Sequence, residues 1–189
     1  IYLSEFQGDD KILVVTQSGE YHTTNFDLSN HFPKNILRVE KFDENKIWTA
    51  ALFDAEQGYT YLKRFALELS EKMLNFIGDN PESKLLLLSD TVFPRIKAIF
   101  GGNDDFREPL EIEGEDFIGV KSYKAKGKRL SNYQIIRVEE MAPTRFPEVQ
   151  SNEQETSMNV EIEAEENGNG TQSDLDLLDE ITGQMKLFD

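Results

Sequence analysis

A recurring hairpin signal constrains the fold of this chain more than any other feature. An acidic turn followed by an apolar, strand-like run begins near Asp9, Glu44, Glu82 and Gly114, at intervals of 35, 38 and 32 residues. A unit that recurs at such a spacing is typical of repeat architectures, and hairpins as the unit favour radial blades over stacked helices. Evenly spaced turns in an ordinary antiparallel sandwich explain the spacing as well, so both all-β architectures stay open here.

Turn chemistry and strand propensity define the hairpins. Runs of β-branched and aromatic residues alternate with Asp, Asn and Gly, and Gly19 is expected to supply the positive φ of the first turn. The strands predicted to pair are 11–16 with 20–24, 47–53 with 59–65, and 84–89 with 93–100, while 117–123 begins a fourth hairpin. The predicted fold class is therefore all-β.

One segment departs from the strand pattern. Residues 65–77 carry apolar side chains at Phe65, Leu69, Met73 and Phe76, which is a helical period. This segment is interpreted either as a short helix or as an irregular crossover between two blades.

The acidic residues are unevenly distributed. The net charge is −16, and residues 148–189 hold twelve of the 36 acidic residues but only one of the 20 Lys and Arg residues. A negative net charge repels DNA, which is itself a polyanion. Affinity for DNA comes largely from Lys and Arg that release counterions, so the net charge argues against DNA binding. Residues 1–147 are only mildly acidic, however, and need to present just one local basic face.

The composition predicts three regions along the chain. A folded domain is expected over residues 1–147, followed by a disordered acidic linker over 148–172, where apolar residues are too sparse to offset the entropy of ordering. Residues 173–189 form a tail in which Ser173 can cap a short helix and Gly183 can end it.

Catalytic and metal sites are not predicted. The chain has no cysteine, only His22 and His31, and none of the familiar phosphate-loop, dinucleotide or hydrolase motifs. The acid pairs Asp9-Asp10 and Asp104-Asp105 fall in predicted turns, and Asp174 with Asp176 falls in the tail, so turn chemistry explains the first two better than metal binding. No catalytic residue and no metal ligand are therefore assigned.

The sequence also predicts the solubility of the protein, its cellular compartment and its place in a longer chain. No apolar run approaches the roughly 20 residues that cross a bilayer, so we expect a soluble protein with no membrane partner. The lack of cysteine is compatible with a reducing cytoplasm. Because the sequence begins at Ile1 with strand-like residues, we expect it to be a piece of a longer chain.

The most informative stretch is a basic segment near the end of the body. Five cations lie within nine residues around Gly127, with Tyr123 and Tyr133 nearby: Lys121, Lys124, Lys126, Lys128 and Arg129. Such a cluster can neutralise several phosphates, and Gly127 would let the backbone come close to a DNA strand. A solvated, positively charged hairpin explains the same cluster without any ligand.

Further basic residues recur at comparable points of the hairpins: Lys63, Arg64, Arg95, Lys97 and Arg107. If the hairpins are blades, equivalent strand ends lie around one rim, and these residues would form a curved basic track along which duplex DNA bends. Basic residues dispersed over all faces would instead favour a protein-interaction propeller.

Several phrases together resemble a known family. They lie at residues 2–10, 35–42, 100–102, 107–112, 120–130 and 143–146. Over residues 1–147 the chain resembles the C-terminal domain of the A subunit of bacterial DNA topoisomerase IV, a type IIA enzyme related to gyrase. The resemblance implies a β-pinwheel that bends and orients DNA in the cytoplasm, on the chromosome.

The resemblance also implies what this stretch lacks. The cleaving tyrosine and the Mg²⁺ and ATP sites would belong to other domains of the ATP-hydrolysing parent enzyme or to the partner B subunit, so no cofactor is expected here. The gyrase counterparts carry a Gln-, Arg- and Gly-rich box for DNA wrapping, and residues 124–129 are its nearest equivalent. This difference favours a decatenating and relaxing parent enzyme over a supercoiling one.

The end of the tail has its own resemblance. Gln184, Met185, Leu187 and Phe188 resemble the short peptide by which bacterial proteins bind the DNA polymerase sliding clamp. An apolar anchor on a polar tail suits such a role. Two alternatives stay open: a terminus that folds back on its own domain, and an acidic strip that competes with DNA for the basic rim.

Overall fold

The computed structural model describes residues 7–25, 27 and 32–147. The strands in these ranges are β1 Ile12–Thr16, β2 Glu20–Thr24, β3 Ile36–Lys41, β4 Ile47–Asp54, β5 Tyr59–Ala66, β6 Leu74–Asn75, β7 Lys84–Ser89, β8 Arg95–Phe100, β9 Leu110–Glu113, β10 Val120–Ser122, β11 Lys128–Arg129 and β12 Ile135–Met141. A 3-10 turn, Gly102–Asp104, and a four-residue helix α1, Gly114–Phe117, interrupt them. The all-β class is confirmed.

The strands form three sheets. Sheet A has the order β3-β1-β2-β6, sheet B has the order β10-β5-β4-β7 with β11 also on β5, and sheet C has the order β12-β8-β9. The described residues lie within one unit of the chain, Ile1–Val149. The predicted boundaries at 147 and 172 stay predictions, and the predicted tail helix lies outside the described residues.

Local turn chemistry forms the first two hairpins as predicted. Strands β1 and β2 pair antiparallel with Ile12 opposite Thr24, and β4 and β5 pair antiparallel with Ile47 opposite Ala66. Gly19 has a φ of 73°, the left-handed value that the first turn requires. Hairpins of this kind form wherever strand propensity and turn residues agree over a short stretch of chain.

The predicted third hairpin is wrong. Strand β7 pairs with β4 in sheet B, whereas β8 pairs with β9 and β12 in sheet C. The physical reason is the leucine run of β7, which has no polar face: Leu85 and Leu88 pack on one core cluster, and Leu86 and Leu87 pack on the other. A strand whose side chains contact a core on both faces lies between two layers, and after β7 the chain passes to the next sheet.

The predicted fourth hairpin is also wrong. Phe117 ends α1, and the strand that follows, β10, pairs parallel with β5 and with no strand next to it in sequence. This pairing depends on residues more than fifty positions away in the chain, which no local pattern reveals.

Residues 65–77 are an irregular crossover, so the alternative of a helix is wrong for this segment. Strand β5 ends at Ala66, and the chain then crosses to sheet A, where it forms β6. The apolar period is explained by anchoring: Phe65 and Phe76 are buried with their tilted rings 5.1 Å apart, whereas Leu69 and Met73 are exposed.

Two core clusters lie on opposite faces of sheet B. Along β4, Trp48, Ala50 and Leu52 belong to the first cluster, which they share with residues of sheet A. Ala51 and Leu62 belong to the second cluster, which they share with residues of sheet C. Sheet B is therefore the middle layer, and any element attached to β5 is held by a strand that is buried from Thr60 to Phe65.

Candidate nucleic-acid interface

The basic segment is a loop whose two ends are fixed to one strand. We use "basic loop" for residues 121–129. Its first end continues β10, which pairs parallel with β5 so that Val120 lies opposite Arg64. Its second end is β11, which pairs antiparallel with the same strand so that Lys128 lies opposite Leu62. The sheet therefore sets the position of both ends of the loop.

Gly127 lets the basic loop close against β5. Its φ is +96°, and a Cβ atom at this position would lie 2.4 Å from the carbonyl oxygen of Leu62 and 3.0 Å from Cβ of Lys63. Side-chain-bearing residues rarely adopt such a φ, and the backbone carbonyl cannot move aside easily. The sequence hypothesis assigned Gly127 to close approach of DNA, but the approach that requires glycine here is to β5.

Tyr123 anchors the basic loop in the first core cluster. Its side chain is 3% exposed and meets the ring of Tyr21 edge-on, with the centroids 5.6 Å apart. The lysines on either side, Lys121 and Lys124, are exposed. A buried aromatic between exposed cations holds the charges at a defined place on the surface, which lowers the entropy that a ligand would have to remove.

One cation of the basic loop is already neutralised. Lys126 Nζ lies 2.6 Å from a carboxylate oxygen of Asp54. Burial acts to raise the pKa of Asp54, but hydrogen bonds from Lys126 and from the backbone N–H groups of Gln57 and Glu56 outweigh it and lower this pKa. The hydrogen bond to Asp54 raises the pKa of Lys126. Lys126 thus fastens the loop to the β4–β5 turn and offers less charge to a ligand.

The other four cations keep their charge uncompensated. In the described part of the chain, Lys121, Lys124, Lys128 and Arg129 form no salt bridge, and all four are exposed. Arg129 lies over the ring of Tyr59, 3.7 Å from its centroid, and donates a 3.0 Å hydrogen bond to Asn132.

Lys128 lies over Phe117, 4.2 Å from the ring centroid, and donates a 3.2 Å hydrogen bond to the carbonyl oxygen of that residue. Arg129 and Lys128 are therefore oriented by aromatic rings while their charge stays available to an anion.

The structure does not bring Lys63 and Arg64 to the surface, which corrects their assignment as DNA contacts. Lys63 is 3% exposed, and its ammonium donates to the carbonyl oxygens of Phe76, at 2.7 Å, and of Tyr123. Burial lowers the pKa of Lys63 to about 8. Arg64 is 6% exposed and pairs with Glu115 at 3.2 Å.

The remaining predicted cations lie among carboxylates. Arg95 pairs with Glu111 at 2.7 Å and with Glu113 at 3.3 Å. Lys97 is flanked across the sheet by Glu111 on β9 and Glu139 on β12. Sheet C thus carries alternating charges, and cross-strand pairs of this kind stabilise a sheet without needing a ligand.

Arg107 is neutralised as well but lies near the end of the basic loop. Its guanidinium pairs with Asp104 at 2.9 Å and lies 3.3 Å from the ring centroid of Tyr133. Tyr133 belongs to the turn that follows Arg129, and Asn132 of the same turn accepts from Arg129. The ten predicted residues therefore do not form one continuous exposed track, and the uncompensated charge is concentrated on the basic loop.

The sequence reasoning missed the residues that organise the basic loop, namely Asp54, Tyr59, Phe117 and Asn132. Asn132 is the one with a local signal, since it follows Arg129 by three residues in a turn-like stretch. Asp54 and Tyr59 are remote from the loop in sequence. Phe117 is close to it, but an aromatic residue at the end of an element gives no sign that it will contact a cation.

Other candidate sites reduce to turns or lie outside the described residues. Asp10 accepts a 2.6 Å hydrogen bond from the N–H of Gln7 and pairs with Lys41, as the turn interpretation predicts. Among the described residues, no group of three or more His, Cys, Asp or Glu side chains could hold a metal ion. His22 is half-buried, whereas His31 and the tail residues Gln184, Met185, Leu187 and Phe188 belong to the parts of the chain that are not described.

No described helix has the length and apolar character needed to span a membrane.

Comparison with known families adds one finding. Residues 1–142 match the profile of a family described as the topoisomerase C-terminal domain of the Bacteroidota. The matched range includes the three sheets and the basic loop. A comparison with curated proteins finds no match.

Proposed function

Because the chain belongs to the topoisomerase C-terminal domain family of the Bacteroidota, we propose that it holds duplex DNA through the basic loop. The observation that carries this proposal is the set of four uncompensated cations on a loop fixed at both ends. Phosphate contacts by Lys and Arg position a protein on DNA and carry no sequence information, so the binding is nonspecific.

The family and the sequence resemblance support a proposal about the parent enzyme. We propose that this domain belongs to the A subunit of a type IIA topoisomerase of the topoisomerase IV kind, which acts on chromosomal DNA in the cytoplasm. In that enzyme, strand passage would use the Mg²⁺ and ATP sites of other domains and of the B subunit. This domain would capture and orient the DNA segment that those sites act on.

The fold in this proposal is a β-pinwheel in which sheets A, B and C are blades. The basic loop is attached to the edge of the middle sheet. The other predicted cations are buried, paired with carboxylates or, for Lys97, placed between two glutamates across the sheet. A single charged loop supports local capture and a modest bend of the duplex. Tight wrapping needs positive charge at each point where the duplex returns to the protein surface, as the minor-groove arginines of nucleosomes illustrate.

The proposal gives a salt dependence that can be measured. Four cations that each neutralise one phosphate give a slope of log K against log salt of about −3 to −4. The test is a fluorescence anisotropy titration of the whole chain with duplex DNA at two or more salt concentrations. Absence of binding at low salt would overturn the proposal.

A matched pair of variants separates the basic loop from general charge. Lys121→Gln with Lys124→Gln removes two loop cations, and Lys34→Gln with Lys72→Gln removes two exposed lysines elsewhere. The loop variant should reduce the salt slope by about 2, since each lost phosphate contact removes about one unit. The control variant should keep the slope, and equal effects of the two pairs would contradict a role for the loop.

Protein recruitment is the second candidate function. It is favoured by an exposed patch around Arg107, where Phe106 is 75% exposed and Tyr133 and Ile136 are also exposed. Aromatic residues and Arg are enriched where proteins bind one another. The clamp-like peptide of the tail adds a second means of recruitment, and its test is clamp binding by the whole chain compared with Leu187→Ala and Phe188→Ala.

A further inference from the structure

Lys63 occupies a special position relative to the basic loop. On β5, Arg64 lies opposite Val120 of β10, and Leu62 lies opposite Lys128 of β11. Lys63 is the residue between them, so it lies next to the start of β10 and next to the point where the loop returns to the sheet at Lys128. Its Cβ atom would lie 3.0 Å from a Cβ atom placed on Gly127.

The ammonium of Lys63 joins two separate parts of the molecule. One acceptor is the carbonyl oxygen of Tyr123 in the basic loop, and the other is that of Phe76, which directly follows β6 of sheet A. The N–H of Phe76 donates in turn to the carbonyl oxygen of Gly19 in the β1–β2 turn, at 3.0 Å. The loop is thereby tied through one side chain to a hairpin of another sheet.

Stability of the fold alone does not explain why a charged side chain occupies position 63. Among the described residues, no carboxylate forms a salt bridge with Lys63, and burial of a charge without a counterion is costly. An apolar side chain of similar shape would pack against the Phe65 ring, whose centroid lies 5.1 Å from Nζ, without that cost. What such a side chain could not provide is the link between the carbonyl groups of Tyr123 and Phe76.

We propose that Lys63 is a positioning residue that fixes the basic loop for DNA binding from inside the protein, without touching DNA itself. This inference rests on the proposed function of the loop. The lysine acts on DNA affinity through the backbone of Tyr123, which places Lys121 and Lys124 on either side of a fixed point. Lys63 lines a cleft between the basic loop and residues 73–80. The other charged or titratable groups that line this cleft are Glu20, Asp54, Glu56, Asp79, Tyr123, Lys124 and Lys126.

The absence of cysteine from the chain allows an atom-level test. Lys63→Cys introduces a single thiol, which is alkylated in denaturant before the whole chain is refolded. Attachment of an aminoethyl group restores an amine at the position of Nζ, with sulfur in place of one methylene. Attachment of a propyl group gives nearly the same shape without the amine, so the pair isolates the ammonium.

Hydrogen–deuterium exchange of residues 121–129 and affinity for duplex DNA are measured on both proteins. The propyl protein should show exchange on the order of tenfold faster in the basic loop, with unchanged exchange in β8, because the loop loses one strong tether. Its DNA affinity should fall several-fold. The aminoethyl protein should behave like the unmodified chain in both measurements.

Failure of the inference about Lys63 and failure of the proposed function give different results. Equal hydrogen exchange of the loop in the two alkylated proteins would show that the ammonium does not hold the loop. That result would not affect the proposal that the loop binds DNA. Faster exchange with unchanged DNA affinity would overturn the positioning role, while the Lys121→Gln and Lys124→Gln variants separately decide the proposed function.

A second measurement applies if the propyl protein does not refold. In the unmodified chain, nuclear magnetic resonance should detect Lys63 ammonium protons that exchange slowly with water and couple to the carbonyl carbons of Tyr123 and Phe76. Ammonium protons that exchange as fast as those of a surface lysine would overturn the inference.

Discussion

The guanidinium carbon of Arg129 lies 3.7 Å from the centroid of the Tyr59 ring, at the end of the basic loop. The ring restricts the position of the guanidinium and leaves its positive charge uncompensated. An arginine held in this way loses little side-chain entropy when it meets a phosphate. The contact thus links the β4–β5 hairpin to the surface charge on which the proposed function depends.

Removal of the ring should weaken DNA binding. An exposed cation–π contact contributes about 0.5–1 kcal/mol, so Tyr59→Leu should reduce affinity by about two- to fivefold while the apolar packing is kept. Tyr59→Phe retains the ring and should bind DNA like the unmodified chain. Anisotropy titrations at one salt concentration measure both, and equal losses in the two variants would contradict the role of the ring.

Gly127 should tolerate alanine less well than Gly58. Both have a left-handed φ, but a Cβ atom on Gly58 meets nothing within 4 Å, whereas one on Gly127 meets the Leu62 carbonyl at 2.4 Å. Gly58→Ala should cost about 1 kcal/mol in the free energy of unfolding, and Gly127→Ala should cost about 2–3 kcal/mol or displace the loop. Denaturant unfolding measures the difference, and equal costs would show that the loop does not press on β5.

The hairpins illustrate what could be predicted from the sequence. The β1–β2 and β4–β5 hairpins depend on residues within about twenty positions of each other, so turn chemistry and strand propensity were sufficient. The β7 strand depends on two cores that form only when all three sheets assemble. Its four consecutive leucines, Leu85 to Leu88, did carry a signal of burial on both faces, which argued against a simple hairpin.

The surface position of the predicted DNA contacts was likewise predictable only where it depends on residues close together in sequence. The basic loop is compact in sequence, and its five cations were identified directly from the pattern. Lys63 and Arg64 have partners at Tyr123 and Glu115, more than fifty residues away, so their burial could not be predicted from the residues beside them. Charged residues in a strand are usually solvated, and the exception arises here because β5 is central to sheet B.

Acid should weaken the contact between sheets A and B at Asp90. This carboxylate accepts from Lys46 at 2.6 Å and from Arg38 on β3 at 3.2 Å. Burial acts to raise the pKa of Asp90, but the hydrogen bond from Lys46 and the charges of Lys46 and Arg38 lower it below 3.8. The stabilisation is therefore present above the unfolded-state pKa and is lost as the pH falls through the lower, folded-state value.

Asp90→Asn tests this contact. At pH 7 the substitution should cost about 1 kcal/mol, because a partly exposed ion pair is screened by solvent. The difference between variant and unmodified chain should shrink as the pH falls below about 4. Unfolding curves at several pH values measure it, and a difference that is independent of pH would contradict the assignment to Asp90.

Lys63 should give a pH dependence of the same sign in a higher pH window. Its pKa is about 8 in the folded chain and 10.5 without burial, so between these values the unfolded chain binds more protons. The free energy of unfolding should therefore rise with pH across this window, relative to Lys63→Met, in which the titrating group is absent. The same slope in both proteins between pH 8 and 10.5 would show that Lys63 titrates at its ordinary pKa.

The central claim, that the basic loop binds duplex DNA, is tested most directly by titration of the isotopically labelled whole chain with a short duplex, followed by nuclear magnetic resonance. We predict that amide shift changes concentrate in residues 120–133 and around Tyr59, and that they disappear at high salt. Shift changes confined to other surfaces, or no change in the basic loop at low salt, would contradict the account.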